Sequence, residues 1–248
     1  MLLLNEKQIE RYSRQIISPS IGEEGQEKLL KLKVLQIGAG GLGSSFSLYL
    51  VSAGIKELTI IDNDIISISN LQRQILYNEK HVGKVKVEVA KQVLSDLNSN
   101  VKIFAFQDFI DSKSIEKYVK DQHFIVDCSD NLPTKFLVNK IAIKHNIKCV
   151  IAGIKDFYGQ IMTIDPEKSA CYECVFNEPN NDLKSEKPLP VIGVTPGILG
   201  TLEALEVIKT AIGLPNLENK LLMVNLLDLS FNLINLVKNK TCICSNSH

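Results

Sequence analysis

Four glycines in six residues, Gly38-Ala39-Gly40-Gly41-Leu42-Gly43, stand between a short β-rich run, Lys33-Val34-Leu35-Gln36-Ile37, and a helical stretch from Ser44 to Ala53 that Gly54 closes. Glu57 to Asp62 then reads as a second strand. Strand, glycine-rich turn, helix and strand make a βαβ unit, which requires two parallel strands joined by a right-handed crossover. This one segment excludes all-helical folds and antiparallel sandwiches.

The same alternation continues. The spacing predicts a helix from Lys84 to Leu97, a strand from Val101 to Phe106 and a helix around Ser114 to Val119. A buried strand, Phe124 to Asp127, runs into the polar loop Cys128-Ser129-Asp130-Asn131, followed by a helix from Lys135 to His145 and a strand from Lys148 to Ile154. Such an order predicts an α/β, doubly wound, Rossmann-like and mostly parallel sheet. Ahead of it lies a helical N-terminal segment, 1–30, broken between Pro19 and Gly22. Behind it comes an antiparallel extension: an extended stretch from Gln160 to Asp165, an apolar helix from Gly200 to Ile212 and a late strand from Lys220 to Asp228. Asn177 to Pro190, rich in Asn, Lys, Glu and Pro, reads as a mobile surface loop. We expect one domain over 1–248, with its nucleotide-binding core in 31–155 and a partner-binding part in 156–248.

Composition narrows the class. The 28 basic residues equal the 28 acidic ones, which argues against a nucleic-acid coat or a polybasic membrane binder, since phosphate surfaces need uncompensated cations. Three leucines after Met1 are too few for a signal peptide, and no run reaches the roughly 18 apolar residues of a membrane span. A cytoplasmic setting is expected. Cys128 and Cys149 are isolated in apolar runs, whereas Cys171/Cys174 and Cys242/Cys244 form close pairs. In a reducing compartment such pairs suggest metal before disulfide.

Gly38 to Gly43 fits a dinucleotide fingerprint, because glycines let backbone approach phosphate and a helix N-terminus offers free N–H groups to an anion. Asp62, at the end of the next strand, can bind ribose hydroxyls. The motif by itself does not separate NAD(P) from ATP. Asp64, then Ser69-Asn70-Leu71-Gln72-Arg73, Lys84 and Lys86, and finally Asp130-Asn131 add cations and a further carboxylate. A pyrophosphate held by amides does not need these; a triphosphate with Mg²⁺ does.

Arg11-Tyr12-Ser13-Arg14-Gln15, Gly38 to Gly43, Asp62-Asn63-Asp64, Asn70 to Gln74, Gly83 to Lys86, Asp127 to Asn131 and the Cys171/Cys174 pair occur in one order along nearly the whole chain. In this the sequence resembles the ThiF/MoeB/HesA family, bacterial relatives of ubiquitin-activating enzymes. The resemblance implies an ATP-dependent adenylyltransferase acting on the C-terminal glycine of a ubiquitin-like sulfur-carrier protein ending in Gly-Gly. It implies that Gly38, Gly40, Gly41 and Gly43 take phosphate, with Gly41 approaching it closely, and that Asp62 takes the ribose. Asp64 and Ser69, Asn70, Leu71, Gln72 and Arg73 line the nucleotide; Lys86 holds phosphate oxygens, and Asp130 holds Mg²⁺ beside Asn131. It implies a homodimer, with Arg14 reaching the partner's ATP.

The resemblance further implies a structural zinc site made by Cys171, Cys174, Cys242 and Cys244. The second pair is one residue shorter than the family's Cys-x-x-Cys, so His248 is an alternative ligand. Many relatives carry a reactive cysteine in the loop ahead of Gly193, but Leu183 to Pro190 has none. With Cys128 and Cys149 expected in the core, sulfur would come from another protein such as a sulfurtransferase. A carboxylate needs no general base to act as a nucleophile at neutral pH, so His81, His123, His145 and His248 are expected at the surface. Adenylation of a different carboxylate, a peptide C-terminus or a tRNA base, and an NAD(P)-dependent dehydrogenase remain the alternatives. The neutral charge weighs against tRNA. A dehydrogenase leaves Arg73, Lys86 and Asp130 unused.

Overall fold

The computed structural model describes residues 4–178 and 190–245. Eight strands form one sheet in the order β3-β2-β1-β4-β5-β6-β7-β8. They are β1 (Lys33–Ile37), β2 (Glu57–Ile61), β3 (Lys102–Phe106), β4 (Phe124–Asp127), β5 (Lys148–Lys155), β6 (Tyr158–Ile164), β7 (Lys220–Asn225) and β8 (Ser230–Asn235). The first five run parallel and the last three antiparallel, as the sequence predicts. Ile37 is level with Ile61 on one side and with Asp127 on the other. The chain moves outward from β1 through β2 and β3, then returns to place β4 on the opposite side of β1. That reversal opens a crevice beyond the carboxyl ends of β1 and β4, where open α/β sheets bind ligands.

Helices α3 (Gly41–Ala53), α4 (Lys86–Leu97) and α6 (Val194–Ile212) cover one face. Their core joins Phe46, Leu50, Val87, Leu94, Leu199 and Val207 to Val34, Leu58 and Val126. Helix α5 (Leu132–His145) covers the other face, where Phe136, Ile141, Cys149, Ile151 and Tyr172 pack together. Helices α1 (Glu6–Ile16) and α2 (Gly22–Leu29) dock at the C-terminal end of α3. Gln15 and Gln26 both donate to the Ala53 carbonyl, each at 3.0 Å, and Asn98 bridges the Tyr12 hydroxyl and the Val51 carbonyl.

Three elements differ from expectation. The predicted helix around Ser114 to Val119 is a single 3-10 turn, Ile115–Lys117. The Asp111 carboxylate accepts from the Lys113 and Ser114 amides and starts a local turn, and so short a helix would not recover its nucleation cost. Helix α6 starts at Val194 rather than Gly200, because Pro196 falls in the first turn, where its missing N–H costs nothing. The strand expected over 220–228 stops at Asn225, turns through Leu229 at φ +57° and returns as β8. Most of β8 is exposed, so no burial pattern marks it in the sequence. The proposed loop from Asn177 to Pro190 lies almost wholly outside the described residues, as does His248.

Candidate active site

The loops after β1 and β4 touch at the crevice. Gly38 adopts φ +96°, and a Cβ there would stand 2.8 Å from the Cys128 carbonyl oxygen. A Cβ on Gly43 would overlap the Gly38 carbonyl. Both positions therefore exclude a side chain. Gln36 donates its amide to the Gly38 carbonyl at 2.8 Å and the Gly43 carbonyl at 3.3 Å, which ties the two ends of the turn. Helix α3 begins at Gly41, so its unpaired N–H groups face this turn, as an anion site requires.

Asp62 follows β2 and takes part in the turn. Its carboxylate accepts from the Ala39 amide and from the Asp64 amide, both at 2.8 Å. Each oxygen keeps a further lone pair, which leaves capacity for a ribose hydroxyl. Asp64, expected at the nucleotide, holds Lys86 instead: the Lys86 ammonium lies 2.8 Å from the Asp64 carboxylate. The Lys86 side chain is 4% exposed and that of Asp64 62% exposed. The ammonium is thus presented at a fixed place by a partner that water can replace.

The segment 69–73 is fixed by its own contacts. Asn70 accepts from the Ser67 amide at 3.0 Å, Ser69 shares a hydroxyl contact with Ser67 at 2.9 Å, and Arg73 donates to the Ser69 carbonyl at 3.2 Å. Leu71 is half-buried against the core, and Gln72 is exposed beside Gly193. The Arg73 stem passes over Gly41, with its Cγ 3.4 Å from where a Cβ would stand. Of this segment, Arg73 is the residue whose side-chain stem lies against the glycine turn, while its guanidinium is held on the Ser69 carbonyl. Asp130 is exposed, and its side chain makes no hydrogen bond or ion pair among the described residues. Such a carboxylate suits a hard, hydrated cation. Asn131, expected beside it, is occupied as the N-cap of α5, accepting from the Thr134 amide and hydroxyl at 3.0 and 2.7 Å.

Arg14 is not brought to this site. It sits in the last turn of α1, exposed, at the end of α3 opposite to Gly41. Thirteen residues of helix separate the two ends, about 20 Å at the α-helical rise.

Beneath the site lies a buried group that the sequence reading missed. Lys135 donates to Asp127 at 2.6 Å, to the Ser129 carbonyl at 2.9 Å and to the Ala152 carbonyl at 2.6 Å, so all three ammonium protons are used. It joins the ends of β4 and β5 to the loop that leads to Asp130. Glu203 of α6 lies against the Cys128 thiol. Burial, reinforced by the Asp127 charge, raises the Glu203 carboxyl well above the usual range. Burial also raises the Cys128 thiol, as it does Cys149. Neither thiol is a nucleophile at neutral pH. The faint signals were an acid within an apolar helix and a lysine eight residues past a strand-end aspartate. The three described histidines make local surface contacts, with the Lys33 and Asn78 amides and with Glu116.

On the opposite face of the sheet, Cys171, Cys174, Cys242 and Cys244 converge, with all four sulfurs within 4.8 Å of one another. The Cys171–Cys242, Cys174–Cys244 and Cys171–Cys174 separations are 3.4, 3.5 and 3.9 Å. A tetrahedron of thiolates at the usual Zn–S distance has edges of about 3.8 Å. The shorter Cys242-x-Cys244 spacing therefore still closes a four-sulfur set. Second contacts come from the Asn239 amide to Cys174 at 3.3 Å and from Asn139 to Cys171 at 3.7 Å.

The sheet reversal and the glycine turn at the start of α3 make an α/β fold of the nucleotide-binding kind. The chain matches the ThiF family model over residues 12–246 and belongs to that family. It is 34% identical over 249 residues to a sulfur carrier protein adenylyltransferase from Thermus thermophilus, covering 97% of this chain and 92% of that one. It is 35% identical over 212 residues to the sulfur carrier protein ThiS adenylyltransferase of Escherichia coli, covering 85% and 84%. It is also 36% identical over 248 residues to the adenylyltransferase and sulfurtransferase MOCS3 of Xenopus laevis; these cover 98% of this chain and only 55% of that longer protein. Among solved structures, E. coli MccB with ATP superposes with a TM-score of 0.87 at 28% identity, covering 97% of this chain and 75% of that one. The chain is accordingly an AMP-transferring enzyme, a nucleotidyltransferase.

Proposed function

We propose that this enzyme uses ATP and Mg²⁺ to adenylate the C-terminal glycine carboxylate of a ubiquitin-like sulfur carrier ending in Gly-Gly, working as one adenylation domain. The observation that carries this reading is the glycine turn at the sheet's reversal point, with the Arg73 stem lying over Gly41; Lys86, held by Asp64, and the unpaired Asp130 supply the further charges the reading needs. A carboxylate oxygen of the carrier attacks the α-phosphorus in line. The bond from that phosphorus to the bridging oxygen breaks, and pyrophosphate leaves. No proton need move, so positioning and charge neutralisation carry the rate. The turn amides and the α3 N-terminus seat the phosphates, Lys86 and Arg73 take charge that builds on the leaving group, and Asp62 orients the ribose. Asp130 would hold Mg²⁺, which when bound shields phosphate charge.

The reading includes a homodimer. Arg14 lies too far from its own glycine turn to reach it, while a second copy could present its Arg14 there. Exposed Ile75 and Val194 line a groove together with Gln72, Gly193 and Leu202, and this apolar face suits a second copy. We assign the four cysteines to a structural Zn²⁺, with Cys244 rather than His248 as the fourth ligand. The buried Cys128 and Cys149 support sulfur delivery to the acyl-adenylate by a separate sulfurtransferase. We place the enzyme in the cytoplasm, where its six free cysteines stay reduced; no helix among the described residues is long and apolar enough to cross a membrane.

The test is carrier-dependent exchange of labelled pyrophosphate into ATP. Exchange that requires the carrier and disappears in Asp130→Ala and Arg73→Ala supports the proposal. Binding of a nicotinamide dinucleotide without exchange overturns it. The likeness to MccB, a microcin C7 biosynthetic enzyme solved in complex with N-formylated MccA rather than with a sulfur carrier, favours a second reading, a different acceptor carboxylate such as a peptide C-terminus, and exchange driven by a peptide but by no carrier would select it.

A further inference from the structure

Gln74 lies immediately after Arg73 and is 3% exposed. Its backbone is held at both ends, with the amide donating to the Asn70 carbonyl at 2.9 Å and the carbonyl accepting from the Tyr77 amide at 3.1 Å. The Tyr77 hydroxyl in turn donates to the Ala39 carbonyl at 2.9 Å, which pins this segment to the glycine turn. The side-chain amide is left beside that turn, with Nε2 3.7 Å from where a Cβ on Gly40 would stand.

Four buried side-chain oxygens lack a partner among the described residues, on Gln36, Gln74, Gln122 and Glu203. Three of those side chains are anchored by their other end: Gln36 to the Gly38 carbonyl, Gln122 to the Thr59 hydroxyl and Glu203 to the Cys128 thiol. Gln74 differs, because its side chain makes no hydrogen bond at either end among the described residues. Its Oε1 is buried and unpaired, which destabilises a fold, while its Nε2 is left free as a donor beside the glycine turn.

We propose that Gln74 is a nucleotide ligand whose Nε2 donates to a phosphate oxygen seated over Gly40. This rests on reading the crevice as an ATP site. A neutral amide at this position orients the phosphate chain without adding to the charge already supplied by Arg73 and Lys86.

The two roles of Gln74, ligand and structural filler, predict opposite signs. Gln74→Met keeps the volume and removes the unpaired group, so the nucleotide-free protein should melt at a higher temperature. The same variant should bind ATP more weakly by about tenfold or more. Gln74→Glu should weaken binding further, because its carboxylate faces phosphate. Binding is measured by equilibrium dialysis on the full chain, and stability by thermal melting without nucleotide. Gln74→Met that binds ATP within about twofold of the wild type overturns the proposal, as does a Gln74→Met that melts lower or does not fold. Wild-type protein that fails to bind ATP refutes the underlying ATP reading instead, so the two failures are distinguishable.

Discussion

The Lys135 ammonium lies 2.6 Å from the Asp127 carboxylate with both side chains buried, directly beneath the loop that carries Asp130. Removing one partner strands the other charge without water. Lys135→Met should cost about 3–5 kcal/mol of folding stability, read from urea unfolding. The pair Lys135→Met with Asp127→Asn should recover part of that loss. Single and double variants of equal stability would show that the pair carries no coupling.

Glu203 sets a pH dependence. Its carboxyl is raised in the folded protein, by burial first and by Asp127 second. The folded state therefore holds a proton that the unfolded chain releases above its ordinary carboxyl range, and stability falls as pH rises beyond that range. Glu203→Gln mimics the protonated form and lacks this slope. Its melting temperature should exceed that of the wild type by more at pH 8 than at pH 5.5. A constant difference between the two would refute the assignment.

Lys86 and Asp64 should separate activity from stability. Asp64 is largely exposed, so water solvates it when the Lys86 charge is removed, and Lys86→Met, which keeps the buried stem, should change unfolding free energy by about 1 kcal/mol or less. Pyrophosphate exchange should nevertheless drop by roughly 10²- to 10³-fold, as when a single charge-stabilising donor is lost. An exchange rate near that of wild type would remove Lys86 from the phosphate site.

The cysteine cluster predicts one zinc per chain. Metal analysis of purified protein should find it, and both chelation and Cys242→Ser should lower the melting temperature, since a site assembled from distant segments couples binding to folding. Metal-free wild-type protein with unchanged melting would leave the four thiols as a reduced cluster only.

Much of the fold was legible because its signals are local. The glycine turn between Ile37 and Ser44 and the apolar strands around it mark a βαβ unit wherever they occur. The αL cap at Gly54 and the loop after Asp127 follow from backbone preference alone. Residues 115–117 and β8 were not legible for the opposite reason. A turn governed by Asp111 and an exposed edge strand leave no periodic apolar pattern.

The site divides in the same way. The sequence by itself determined the residue types that a triphosphate requires, in an order that names their family. Only the tertiary structure decided which of them touch: it gave Asp64 to Lys86 and Asn131 to a helix cap, and it placed Arg14 at the far end of α3. It also brought Cys242 and Cys244 to Cys171 and Cys174 despite the short spacing, buried Lys135 against Asp127, and left Gln74 unpaired beside Gly40. Hydrogen bonding and desolvation depend on distances of a few ångströms between residues far apart in the chain, and those distances exist only once the sheet has closed.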